Sequence, residues 1–215
     1  MRILRSCSLV LAAALAASAP HAAQLTRAQA LEAIELPEAR ARVAGVGRLA
    51  EIGRSADADR LLGRLRDTDP QVRGLAAAAM WQIWSRSGDP VIDKLFARGL
   101  EQMQASAFDD ALATFSEIVR RKPAFAEGWN KRATVYFLLG QNEKSLKDCD
   151  EVLKRNRNHF GALSGAGQIH MKLGNAQLAL EFFQRALDVN PNLEGLAQVI
   201  PMLELHLRDK GRNTI

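Results

Sequence analysis

Residues 126–159 read AEGWNKRATVYFLLGQNEKSLKDCDEVLKRNRNH, and the pattern they carry returns 34 residues away on either side. Small residues stand at Gly99, Ala133 and Gly167, and again at Ala111, Ser145 and Ala179. Large or apolar ones follow at Phe115, Cys149 and Phe183, then at Ile118, Val152 and Ala186, before Pro123, Arg157 and Pro191. In the middle copy Trp129, Ala133, Tyr136 and Phe137 are spaced for one helix, Gly140-Gln141-Asn142 interrupts it, and Ser145, Cys149 and Val152 are spaced for a second. Two helices per copy at a fixed period predict an all-α, right-handed superhelix of the α-α solenoid type. Small residues let the paired helices approach, large ones fill the gap between pairs, and a proline stops the second helix.

Outside the array the helical pattern continues. Gln24 to Leu36 spaces Leu25, Ala28, Leu31 and Ile34 along one face, and Pro37 ends it. From Pro37 to Pro90 a weaker repeat is offset by 31 residues: Arg42 over Arg73, Leu49 over Met80, Ile52 over Ile83. Between its two main helices, Asp57 to Leu65 is expected as a third, and Asp69-Pro70 as an N-cap followed by proline at the first helical position. The same offset places Leu61 and Leu65 on Ile92 and Phe96, so helix 91–103 is expected to close this half and open the array as one continuous superhelix, without a flexible linker at Ser85 to Pro90. Leu193 to Leu207 predicts a capping helix kinked at Pro201, followed by a frayed tail. The expected divisions are 1–23, 24–90, 91–192 with copies at about 92–125, 126–159 and 160–193, and 193–215.

The 34-residue columns resemble the tetratricopeptide repeat (TPR). Copy one contributes Leu95, Gly99, Ala111, Phe115, Ile118 and Pro123; copy two Trp129, Ala133, Tyr136, Gly140, Ser145, Cys149 and Val152; copy three Leu163, Gly167, Gly174, Ala179, Phe183, Ala186 and Pro191. Gln102 and His170 depart at the aromatic position, Ser106 at the turn glycine and Arg157 at the proline. The run Asp67, Asp69-Pro70, Val72-Arg73 and Ala76 to Ala79 resembles HEAT-type repeats, with Ala41 departing in the first copy.

The first resemblance implies a concave wall of first helices that binds another protein or peptide. Inward positions are Phe96, Leu100 and Met103 in copy one, Asn130, Thr134 and Phe137 in copy two, and Ser164, Gln168 and Met171 in copy three. Such a groove suits a peptide or a partner helix, the amides meeting backbone groups and Phe and Met meeting side chains; the alternative is that several of these residues, Phe96 and Leu100 above all, are covered by the HEAT-like half and are core. The carboxylate clamp that some relatives use is not expected, because its positions hold Phe96, Leu100, Lys131, Gly161 and Gly165.

The remaining signals bound function rather than name it. Residues 1–23 read as a secretory signal: Arg2 and Arg5, the apolar run Leu9 to Ala17, then small residues to Ala23. Its removal takes two of the 29 basic residues, leaving 27 against 24 acidic and a net charge of +3 rather than +5. Interspersed charge of that size does not predict a nucleic-acid track. No stretch is long enough for an integral membrane segment. Cys149 would stand alone in the mature chain, so packing rather than a disulfide is expected to hold it, and the address expected is the periplasm, with the extracellular space as alternative.

No phosphate loop, HExxH or GxSxG occurs, and His159, His170 and His206 do not sit at metal-ligand spacing. No catalytic residue, cofactor or metal is expected. The function expected is a periplasmic adaptor or scaffold; a structural subunit of an envelope complex and an enzyme sited in the groove stay as alternatives, and oligomeric state is open.

Overall fold

The computed structural model describes residues 25–212, all of whose regular elements are helical. The signal expected in residues 1–23 lies outside the described residues. Helices α1 (Arg27–Ala33), α2 (Ala39–Ile52), α3 (Ala58–Leu61) and α4 (Pro70–Trp84) form an N-terminal lobe. The array follows as α5 (Pro90–Gln104), α6 (Phe108–Arg121), α7 (Ala126–Leu138), α8 (Asn142–Arg155), α9 (Phe160–Lys172) and α10 (Ala176–Val189), and α11 (Glu194–Arg212) packs against α10.

Helix starts follow local chemistry. Thr26 and Gln29 cap α1 reciprocally, the Gln29 amide donating to the Thr26 hydroxyl at 3.3 Å and the Thr26 amide to Gln29 Oε1 at 2.9 Å. Asp69 takes the amides of Gln71 and Val72 ahead of α4, and Asp89 takes those of Val91 and Ile92 ahead of α5, each followed by proline at the first helical position. The stretch expected as one helix from Asp57 to Leu65 is broken instead: a 3-10 turn at Ser55–Asp57, α3, and a second 3-10 turn at Gly63–Arg66. Gly63 is a weak helix former in mid-run, and Asp57 turns its carboxylate to the Arg54 amide at 2.8 Å and to Arg27 Nε at 2.7 Å. Leu61 and Leu65 are buried all the same.

The 31-residue offset has a physical counterpart. Arg42 donates to the carbonyls of Leu36 and Pro37, six and five residues before it, and Arg73 donates to those of Asp67 and Thr68 at the same separations. Arg42 also grips Asp67 through Nε at 2.8 Å and Nη2 at 2.7 Å, which holds that carboxyl below its usual range although burial opposes it.

Within the array, packing explains the columns. A Cβ built on Gly99 would lie 2.6 Å from Phe115 Cζ, and one on Gly167 would lie 2.4 Å from Phe183 Cε1, so the ring needs the missing side chain opposite it. The middle copy solves the same contact differently, with Ala133 facing the smaller Cys149 in one buried cluster. The turns keep their register too: Gly140 and Gly174 adopt φ of 73° and 76°, and Ser106, where copy one lacks glycine, is forced to φ 57°.

The lobe does not extend the spiral by simple stacking. Its core of Val46, Leu49, Leu61, Leu65, Met80, Ile83 and Trp84 takes in Phe160 from the start of α9, and Val189 and Leu193 pack on its edge. Helix α5, which had been expected to stack on the lobe, pairs with α6. The connection is a hydrogen-bonded turn: Gly88 at φ 74°, Ser87 N–H to Asp93 Oδ1 at 2.7 Å, and Arg86 to the carbonyls of Gly53 and Ala50. Helix α4 lies against the inter-repeat turns of the array. Arg66 donates to the carbonyls of Asp188 and Val189, Asn192 Nδ2 donates to the Leu65 carbonyl at 2.7 Å, and Arg73 Nε donates to Asn192 Oδ1 at 3.2 Å.

Candidate partner-binding groove

Helices α7 and α9 build the part of the concave wall that can be read residue by residue. Thr134, Phe137 and Gln168 converge on one depression of about 80 Å3, floored by Ser145 and Cys149. Ser145 donates to the Ala133 carbonyl at 2.7 Å, which joins α8 to α7 beneath it. Cys149 is buried, and burial, with Asp148 and Asp150 nearby, pushes its thiol up to about 12. That thiol is a packing group, not a nucleophile. Lys172 reaches over this depression from α9, its Nζ 4.8 Å from the centre of the Phe137 ring.

The other expected groove residues have separate fates. Met171 is exposed beside α11, and Ser164 is half-buried. Met103 is half-buried against the cluster of Phe96, Phe115, Ile118 and Phe125, so copy one presents mostly core at this face. Phe96 is core, as the alternative reading had it, but its edge-on neighbours are Phe115 and Phe125 of the array rather than the lobe. Asn130 turns inward: it is 7% exposed and its amide donates to Glu127 Oε1 at 3.0 Å. Burial, with one amide hydrogen held by Glu127, leaves Asn130 little surface to offer a ligand's backbone, which corrects its place among the groove contacts.

Glu127 leads to a cluster that sequence reasoning missed. It is fully buried, and burial alone would push its carboxyl up. The hydrogen bond to His159 Nε2 at 2.9 Å, Lys131 Nζ at 3.1 Å and the Asn130 amide outweigh that, and the carboxyl is held below its usual range. His159 accepts the Ala162 amide at Nδ1, 3.0 Å away, which leaves the proton on Nε2 for Glu127. Trp84 stacks on this imidazole at 4.5 Å between centroids, and Trp81 meets both His159 and Phe160 edge-on at 5.3 Å. Both ring nitrogens of His159 are thus engaged within the array, while its ring packs against both tryptophans of the lobe. The two tryptophans therefore fill the seam between lobe and array.

Trp81 also packs against α7 and α9. Lys131 Nζ lies 5.5 Å from its ring centre, and a Cβ at Gly161 would fall 2.3 Å from Trp81 Cη2. Two of the positions that a carboxylate clamp needs are covered by this one side chain, and Lys131 is already paired with Glu127.

Residues 96–158 and 160–193 match the tetratricopeptide repeat family. The array consists of tetratricopeptide repeats. A TPR repeat-containing protein of Rhizobium etli is 36% identical over 134 residues, spanning 62% of this chain and 66% of that relative. Mouse tetratricopeptide repeat protein 12 is 30% identical over 127 residues, 59% of this chain but 18% of its own. The chain thus spans just under two thirds of the first relative and under a fifth of the second.

Solved structures share the fold. The Sgt2 TPR domain of Aspergillus fumigatus superposes with a TM-score of 0.54 at 19% identity, covering 58% of this chain and 83% of that one. The first TPR of Spaghetti (RPAP3), bound to the HSP90 peptide SRMEEVD, gives 0.53 at 20%, covering 54% and 93%. PcrH in complex with the chaperone binding region of PopD gives 0.51 at 25%, covering 56% and 94%. These likenesses cover little more than half the chain, about the extent of the tetratricopeptide array and its flank.

Proposed function

We propose that the tetratricopeptide array binds another protein through its concave face, and that the chain acts as a non-enzymatic adaptor or scaffold outside the cytoplasm. The observation that carries this is the Thr134–Phe137–Gln168 depression, open between two first helices whose neighbours are otherwise packed. Similar folds are seen holding segments of other proteins, the HSP90 peptide on RPAP3 and the PopD region on PcrH. The lobe is read as HEAT-like because its two halves repeat the arginine-to-carbonyl contact at the 31-residue offset. The periplasmic address rests on residues 1–23 alone.

Two experiments test this reading. A pull-down from envelope extract should recover partners with the intact chain and lose them with Phe137→Asp or Gln168→Ala; equal recovery sinks the groove assignment. A reporter active only outside the cytoplasm, fused to residues 1–30, should report activity, and silence refutes the address.

A further inference from the structure

Helix α11 carries an apolar face that the other described residues leave exposed. Leu196 and Leu203 are buried on α10, yet Met202 is 71% and Leu205 55% exposed. A helix that merely covered the end of a solenoid would turn a polar face outward. The 34-residue register explains the difference. Met202 stands 34 residues after Gln168, and Leu205 stands 34 after Met171, which itself stands 34 after Phe137. Helix α11 thus occupies the place of a fourth first helix, and its exposed pair repeats the groove-facing positions of α7 and α9. Space follows the register: α9, which lines the Thr134–Phe137–Gln168 depression through Gln168, also lines, through Met171, a second cavity of about 420 Å3 with Met202, Leu203 and His206 of α11.

We infer that the groove runs from α7 across α9 onto α11, and that its occupant is an amphipathic helix of a partner protein with acidic residues flanking its apolar stripe. This rests on the groove reading above and narrows it. An extended peptide would leave its own amides and carbonyls in need of partners. Asn130 is buried with its amide turned to Glu127 and the Thr134 hydroxyl donates to the Asn130 carbonyl at 3.0 Å, so Gln168 is the exposed amide along this wall. A helix satisfies its backbone internally and needs only apolar contact, which Phe137, Met171, Met202 and Leu205 offer; methionine adapts readily to such faces. Each helix-to-helix step of roughly 8–10 Å matches an i, i+7 spacing, about 10 Å along a helix, so an occupant reaching from α7 to α11 needs apolar residues at i, i+7 and i+14. Charge completes the fit, because Lys172 lies over Phe137 and makes no ion pair among the described residues.

The test uses the full chain and a fluorescein-labelled helical peptide of about 18 residues, with Leu at i, i+3, i+7, i+10 and i+14 and Glu on both flanks, read by anisotropy. Saturable binding is expected, weakened about tenfold by Leu205→Asp, as loss of one buried leucyl contact implies, and similarly by Met202→Asp and Phe137→Asp. Lys172→Glu should weaken it and should favour a peptide with Lys in place of Glu. If Phe137→Asp weakens binding while Leu205→Asp and Met202→Asp do not, the groove reading stands and its extension onto α11 falls. A peptide broken by a central proline that binds equally well overturns the helical occupant. Absence of saturable binding overturns the inference. Leu205 and Met202 are exposed, so these variants are expected to fold, and circular dichroism checks that they do.

Discussion

Gly161→Ala isolates the junction between lobe and array in a single methyl group. In the first turn of α9 the substitution should help, since alanine is favoured over glycine by roughly 0.5–1 kcal/mol in a helix. Here the added carbon would sit 2.3 Å from Trp81 Cη2 and 2.8 Å from Cζ2. The indole cannot swing aside freely, because Trp84, His159 and Phe160 surround it at 5.3–5.6 Å between ring centres. Overpacking of that kind costs about 1–3 kcal/mol, which exceeds the helix gain. Gly161→Ala should therefore destabilise by about 1–2 kcal/mol.

Gly165 supplies the control one turn along the same helix. Its added carbon would meet only Cys149 Sγ, at 3.9 Å, so Gly165→Ala should stabilise. Equilibrium urea unfolding followed by tryptophan fluorescence measures both. In a Trp81→Ala background the penalty at Gly161 should vanish, since the clash has lost its partner. The reasoning is refuted if Gly161→Ala proves as stable as Gly165→Ala, or if its penalty survives removal of the indole.

Trp84→Ala should cost about 3–5 kcal/mol, the range for emptying a buried aromatic site, and should open the 85–89 turn to limited proteolysis. Glu127 and Asp67 are both held below their ordinary values in the fold, so the stability they contribute is complete above about pH 4–5 and is lost as pH falls through the depressed values. Melting temperatures should drop more steeply below pH 5 for the intact chain than for Glu127→Gln, and parallel curves would contradict that. Cys149, buried with its thiol pushed up to about 12, should resist iodoacetamide near pH 8 until denaturant is added; mass spectrometry showing equal labelling of native and unfolded chain would count against its buried placement.

How far the sequence could be read depended on the range of each contact. The columns were legible because each records a near neighbour: Gly99 makes room for Phe115, Gly167 for Phe183, and Gly140 and Gly174 take the left-handed turn. The cap at Asp69 was legible for the same reason. The junction was not. Trp84 and His159 lie 75 residues apart, and a period that describes stacking between neighbours carries no information about a lobe that turns back. Glu127 looked like an ordinary first-turn acid, and only the pairing with His159 reveals it as buried. In the groove, periodicity named Thr134, Phe137, Gln168 and Met171 but could not show that Asn130 is engaged. The register that fixed those positions also reaches Met202 and Leu205, a signal hidden by reading the last helix as a lid.

The lobe's contacts with residues 159–160 and 188–193 have a mechanical consequence. A solenoid whose units touch only their neighbours behaves as a spring, flexing and fraying from its ends. Here Trp84 anchors one inter-repeat turn while Arg66 and Asn192 fasten the next, so two coils of the spring are bolted to a common bar. Stretching the last repeats apart would require tearing that bar away. The curvature of this part of the chain is thereby set before any partner arrives, and the last repeats should yield together rather than one at a time.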